Sequence, residues 1–549
     1  MTAPFSRRGL LAAGAAFAIL PARAAVARTL ITGGPIYTGV GATRVEALLV
    51  EGARIAFAGP LDEARRRAEN AALIDLRGAA AFPGFVDSHV HLTGVGMREL
   101  TLNLAPATSL ADAMARLGAW AQANPGGIIS GRGWIETHWP ERRTPTRADL
   151  DAVVPDQPVY LQRADGHAGV ANSRALAAAG ITDSTPDPAG GRIERDAGGA
   201  ATGLLVDNAE QLIAPILPTP DDARVREALR RADALYTARG WTGAHNMSVD
   251  RQSLRLLEAL TAQGAARLRT DHYMDVGEAE DVLAKGPRGE AGDRLRLRGV
   301  KVYADGALGS RGAALLAPYS DAPALRGLFV TQRAQALEVY ARAKASGAQV
   351  ATHAIGDAGN RAVLDWFAES LGPGRSHARW RIEHAQVIAP DDIARFAAQG
   401  VIASMQPSHA IGDLPFAPAR LGPERLQGAY AWRSLIESGA TVCGGSDAPV
   451  EVGDPRIEFY AACYRHALDG TAGPDWGLDQ ALSRAQTLAL FTRAAAYAVG
   501  REAEVGTLEP GKRADISAFS ADFMTCAPAD ILKAQTVLTM IDGQALHRL

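Results

Sequence analysis

Eight short apolar segments recur between residues 81 and 449, each with a histidine, a lysine or an aspartate near its C-terminal end. They read AFPGFVDSHVH, WTGAHNM, LRTDHYM, LRLRGVKVYADG, AQVATHAIGD, RWRIEHAQ, VIASMQPSH and ATVCGGSDAP. Their lengths suit strands, and helical patterns separate them. In DDARVREALRRADALYTARG, ahead of the second, Val225, Leu229, Ala232 and Tyr236 share one helical face. Asp221 and Asp222 suit the start of that helix and Gly240 its end. Eight strand–helix units predict an α/β chain folded as a parallel (β/α)8 TIM barrel. A doubly wound open sheet is the alternative.

The flanks read differently. Residues 28–82 and 497–549 hold short strands punctuated by glycine and proline, and predict one small β-sandwich built from both termini around a barrel of residues 83–496. Two unrelated β extensions are the alternative. An oversized connection, about 100–220, follows the first barrel strand. At that length it predicts a structured insertion, a lid or a pocket wall over the strand ends.

Residues 1–27 are set apart. SRRGLLAAGAAFAILPARAAVA pairs Arg7 with Arg8, continues in a modest apolar run, and ends in small-residue cleavage signals between Ala24 and Ala27. It resembles a bacterial twin-arginine export signal, against the plainer reading of an apolar tail. Recognition by the twin-arginine machinery, a periplasmic or secreted mature protein and no stable membrane anchor after cleavage follow as expectations. A net charge of −3 without a basic stripe speaks against nucleic acid as a partner. Three scattered cysteines make neither a disulfide framework nor a cysteine metal site. Oligomeric state stays open, a homo-oligomer included.

His89 and His91 are two apart on the first segment, so both imidazoles face one side of a strand, at the end where barrel enzymes carry their active sites. Such a pair suits zinc or another borderline divalent ion. His353, His384 and Asp447 close the fifth, sixth and eighth segments. Lys301 lies between Val300 and Val302 in the fourth, where an unpaired ammonium is rare. As a carbamate formed with carbon dioxide it would be an anionic bridge between cations; the alternative is an ion pair with Asp305. His245, His409, Arg311, His167 and Trp134 are candidates to contact a small-molecule substrate, with His272 and Asp305 behind them. His245 and His409 are expected at the ends of the second and seventh strands.

Together GFVDSHVHL, VKVYADGALGSR, ATHAIGD, RIEHAQ and GSDAP resemble the amidohydrolase superfamily. PVYLQRADGHAGVANSRAL and PAGGRIERDAGGAATGLL in the insertion resemble its N-substituted formamide deformylase-like branch. The resemblance implies a binuclear centre. His89, His91 and Asp447 would hold one ion, His353 and His384 the other, and carboxylated Lys301 would bridge them. With one ion, His89, His91, His353 and Asp447 would be ligands and His384 would polarise the substrate. The reaction expected is hydrolysis of a non-peptide carbon–nitrogen bond, an amide or N-acyl or N-formyl group, by metal-activated hydroxide, with Asp447 as the catalytic proton carrier. An esterase or lactonase, a mononuclear deaminase and, outside enzymes, a periplasmic small-molecule binding protein are the alternatives.

Overall fold

The computed structural model describes residues 27–549 apart from 42, 291 and 473–475. The export signal read over residues 1–27 lies, except for Ala27, outside the described residues. No helix among the described residues is long and apolar enough to cross a membrane.

The eight segments form one parallel sheet: β1 (Phe85–Val90), β2 (Trp241–Val249), β3 (Arg269–Asp275), β4 (Leu295–Tyr303), β5 (Gln349–Ala354), β6 (Arg381–His384), β7 (Ile402–Met405) and β8 (Val442–Gly444). Each strand is hydrogen-bonded to its neighbours in sequence order. The ends of the sheet meet just beyond β8, where Asp447 N donates to His89 O at 2.7 Å and His91 N to Ala448 O at 2.9 Å. The result is a (β/α)8 barrel. The seam brings Asp447 beside the β1 histidines, which are some 350 residues away in the chain.

The helix predicted ahead of β2 spans Asp222–Arg239. Asp221 accepts from Arg224 N, Gly240 ends it at φ 102°, and Val225, Leu229, Ala232 and Tyr236 are buried. Both caps satisfy backbone groups that a helix end leaves unpaired.

The first segment divides in two. Ala80–Pro83 pairs antiparallel with Ile516–Phe519, outside the barrel, and the barrel strand starts only at Phe85. Gly84 is the joint: a β-carbon there would lie 2.2 Å from Thr242 Oγ1, so only glycine lets β1 approach β2 this closely. The seventh segment also ends earlier than expected. β7 stops at Met405 and Pro407 opens a helix, Pro407–Gly412, so His409 stands on that helix and not on the strand. Proline has no N–H to continue a ladder but suits a first helical turn.

Strands from both ends of the described chain share a six-stranded sheet, in which Ala80–Pro83 lies beside Ile516–Phe519. A four-stranded sheet of residues 28–75 lies near it, and Ile31, Leu48, Val50, Ile516, Ala518 and Leu538 belong to one apolar core across both. The long connection after β1 carries its own six-stranded sheet, from Leu102–Asn103 to Ala201–Asp207, with cores around Leu117 and Leu161 and around Tyr160 and Leu205.

At the other end of the barrel, Asp271 on β3 binds Arg296 at 2.8 Å and Arg501 at 2.7 Å, all buried. Burial works against its charge, but Arg501 and Arg296 outweigh burial and bring its pKa down to about 2 from 3.8. A lowered carboxyl pKa stabilises the fold fully above its unfolded value, and the contribution fades as pH falls toward the folded one. Wild-type stability should therefore lose about 1 kcal/mol from this group between about pH 5 and about pH 3. Asp271→Asn should lack that component, read as a shallower fall in urea midpoint over the same interval. Parallel slopes in the two proteins would assign the acid sensitivity elsewhere.

Candidate metal centre

The C-terminal ends of the barrel strands surround a cavity of about 630 Å³, counting its open mouth. His353, His384, His409 and Asp447 line it from the barrel side. Ile135, His138, Arg163, Asp165 and His167 close it from the insertion. The long connection is thus a wall of this pocket.

Beneath the cavity the donor atoms converge. Asp447 Oδ1 lies 3.2 Å from His91 Nε2 and 3.4 Å from His89 Nε2. Yet this oxygen is buried and makes no hydrogen bond to any described residue. Asp447 Oδ2 lies 3.6 Å from His409 Nε2, another buried atom without a partner. His89, His384 and Asp447 each offer one atom within 4.8 Å of the others. The His353 and His384 rings are 4.6 Å apart, and the His89 and His384 rings 4.9 Å.

The Nδ1 nitrogens of three of these rings are occupied, that of His384 also lying 3.9 Å from Asp447 Oδ2. His89 Nδ1 meets Glu383 Oε2 at 2.6 Å, His91 Nδ1 meets Met247 O at 3.1 Å and His384 Nδ1 meets Gln406 Oε1 at 2.8 Å. An acceptor on Nδ1 holds the proton there and leaves the Nε2 lone pair free, the usual outer support of a metal-binding imidazole. Burial lowers the pKa of His89, with Lys301 nearby adding to it. Burial also lowers His384, with His353 and His89 adding, and lowers His353. All three are thereby kept neutral, the state a ligand needs. Buried, mutually close, neutral imidazoles around an unpartnered carboxylate oxygen fit a divalent cation. Two members sit in strained backbone: His384 has φ 72° and Asp447 φ 57°. Non-glycine residues adopt such values only where their surroundings impose them.

Lys301 is fully buried on β4, its Nζ 3.3 Å from His89 Nε2 and 4.7 Å above the Tyr303 ring. Burial lowers its pKa to about 8. It forms no ion pair with Asp305. That carboxylate instead accepts backbone N–H groups of Ala314, Ile355 and Gly356 at 2.8–3.0 Å, with Oδ1 3.4 Å from His353 Nε2.

The other candidates divide. His167 faces the cavity with Nδ1 on Asp207 at 2.7 Å, and His409 lines it. His245 does not: its Nδ1 lies 3.0 Å from the buried Arg381 guanidinium, inside the barrel. His272 is bonded to Thr270 and Asn246 in the same interior. Trp134 is core to the insertion, packed on Trp139 and donating to Leu161 O at 2.7 Å. Arg311 is spent on Asp321 at 2.9 Å. A strand position settles which face a side chain takes; His245 and His272 lie too deep in the barrel and Trp134 on another sheet to reach the mouth, while Arg311 stands in a partly exposed turn.

Glu383 was not anticipated. It is fully buried, bonds His89, and is bound by Arg381, which also donates to Ser88 O at 2.7 Å. Its signal was there: Arg381 and Glu383, two apart on an apolar strand, share one face, and two charges there demand buried partners. Asp413 and Glu451, also in the cavity wall, carried no comparable signal.

An eight-stranded parallel barrel with imidazoles and a carboxylate converging at its C-terminal mouth defines a class of barrel hydrolases. The chain belongs to the amidohydrolase family, whose match spans residues 72–547, and it is a hydrolase. It is 34% identical to YtcJ of Bacillus subtilis (strain 168) over 524 residues, 94% of this chain and 98% of that protein. It is 29% identical to the N-substituted formamide deformylase of Arthrobacter pascens over 518 residues, 91% of this chain and 94% of that enzyme. A solved structure of a metal-dependent hydrolase from Pyrococcus horikoshii OT3 superposes with a TM-score of 0.74 at 28% identity, covering 91% of this chain and 99% of that one.

Proposed function

We propose that this protein is a metal-dependent hydrolase of a non-peptide carbon–nitrogen bond, an amide or N-acyl group, in a small molecule. The observation that carries the reading is the convergence of His89 Nε2 and His91 Nε2 on the unpartnered Asp447 Oδ1. The deformylase relative, which its name says acts on N-substituted formamides, and the metal-dependent hydrolase neighbour support it.

His89, His91 and Asp447 would hold one divalent ion, zinc being the first choice, and His353 and His384 a second. Lys301 as a carbamate would bridge them. Bound there, such a cation supplies Lewis acidity, making water nucleophilic near neutral pH and polarising a carbonyl oxygen. The lysine ammonium would lose one proton, and the resulting amine would add to carbon dioxide, forming an N–C bond and releasing a second proton; the two losses together turn a buried cation without a carboxylate partner into an anion. Asp447 accepts a proton at Oδ2, the oxygen not turned to His89 and His91, from the attacking water and delivers it to the departing nitrogen, because an amine anion is a poor leaving group. Glu383, Met247 O and Gln406 keep the three imidazoles aimed. The insertion wall excludes bulk water from the reacting bond.

A single-ion centre is the second reading, favoured by the compactness of the His89, His384 and Asp447 group. Metal analysis separates the two. Two ions per chain in the wild type, falling to one with loss of activity in Lys301→Ala, support the bridged centre. An unchanged count and retained turnover in that variant establish the single-ion reading. Zinc-loaded enzyme should hydrolyse N-formyl or N-acetyl amines faster than matched esters; the reverse order would make it an esterase.

A further inference from the structure

A second cavity, of about 320 Å³, lies at the barrel floor, where β1, β2 and β3 begin, at the end opposite the metal centre. His245, Arg269, Asp271, Arg501 and Asp515 line it, and most of the remaining lining is apolar, with Val86, Val499 and Val505. The charges around it form a connected set. Five guanidinium groups, those of Arg269, Arg294, Arg296, Arg501 and Arg513, share the four carboxylates of Asp271, Asp515, Asp542 and Glu504. Its buried members are Arg269, Arg296 and Arg501 against Asp271 and Asp515. Five against four, or three against two, leaves one positive charge without a counterpart among the described residues.

The acceptors of the lining are taken. Asp271 Oδ1 holds Arg296 at 2.8 Å and Oδ2 holds Arg501 at 2.7 Å. Asp515 holds Arg269 through both oxygens, at 2.7 and 3.1 Å. The donors are not taken. Arg269 Nη1 and both terminal nitrogens of Arg501 are buried and make no hydrogen bond to any described residue. Glu504 Oε2 stands 3.6 Å from Arg501 Nη1, beyond hydrogen-bond reach. His245 adds a further donor. The Arg381 guanidinium has no lone pair, so at 3.0 Å it donates to His245 Nδ1 and the imidazole proton resides on Nε2.

A buried cation whose N–H groups lack partners is costly, and an anion relieves both the charge and the hydrogen-bonding deficit. A water molecule would meet only the second. A cation would meet neither, because every carboxylate oxygen of the lining already faces a guanidinium. We propose that the barrel floor binds one monovalent halide, chloride, between Arg269 and Arg501. The inference is independent of the reaction catalysed at the opposite end of the barrel.

Crystals of the metal-loaded protein soaked in sodium bromide test it. An anomalous bromide peak is expected in contact with the Arg269 and Arg501 guanidinium groups. In solution, exchanging gluconate for chloride at constant ionic strength should raise the melting temperature along a saturating curve, as a ligand of the folded state does. Arg501→Gln removes the surplus charge and should lose both the peak and the part of the chloride response that depends on it. Density at this place without an anomalous signal at saturating bromide marks water only and overturns the proposal whether or not the variant folds. A folded Arg501→Gln protein with the full wild-type chloride response overturns it as well.

Discussion

Asp447→Asn is expected to reduce kcat by about a hundredfold to ten-thousandfold, the range that general acid–base groups contribute. Asparagine keeps the shape of the side chain but cannot take a proton from water and return it to nitrogen. The fold should survive, because the tie at the barrel seam is made by the backbone: residue 447 N donates to His89 O at 2.7 Å. Single-turnover rates on the best amide, with thermal melts as the control for folding, decide the matter. A folded, metal-loaded variant with near wild-type kcat would remove Asp447 from the proton path.

Glu383→Ala should cost about 3–5 kcal/mol of stability, the penalty of breaking one side of a buried ion pair. Arg381 is fully buried and Glu383 is its one carboxylate partner among the described residues. Truncating the acid leaves a guanidinium sealed in the barrel. Glu383→Gln is gentler. It retains the shape and an oxygen, but a neutral amide holds the His89 Nδ1 proton less firmly than a carboxylate at 2.6 Å. Metal affinity should then fall about 10–100-fold, the typical effect of losing such outer support. Urea midpoints test the first expectation and competition with a zinc chelator the second. Wild-type affinity in Glu383→Gln would show that the imidazole is oriented by packing alone.

Much of the framework was legible from local chemistry. Apolar segments of strand length alternating with helical patterns marked out the eight strands, because burial and backbone periodicity act within a few residues. The caps Asp221 and Gly240 were legible for the same reason. The pairing of His89 with His91 followed from the two-residue repeat of a strand. The misplaced candidates show where that reasoning stops. His245 and His353 both sit on barrel strands; one is turned to Arg381 and the other faces the cavity. Depth along the barrel axis follows from register between strands, and register is not written in either strand alone. His409 reached the cavity by a different route, from the helix that Pro407 starts.

The chain by itself determined which side chains have the chemistry to hold a cation and which segments carry them, since residue type and periodicity are local properties. The folded structure alone decided which of them meet. His89 and Glu383 are 294 positions apart, and Asp447 reaches the β1 histidines only through the barrel seam. Contacts at that separation depend on strand order, register and closure, which arise from the packing of the whole barrel.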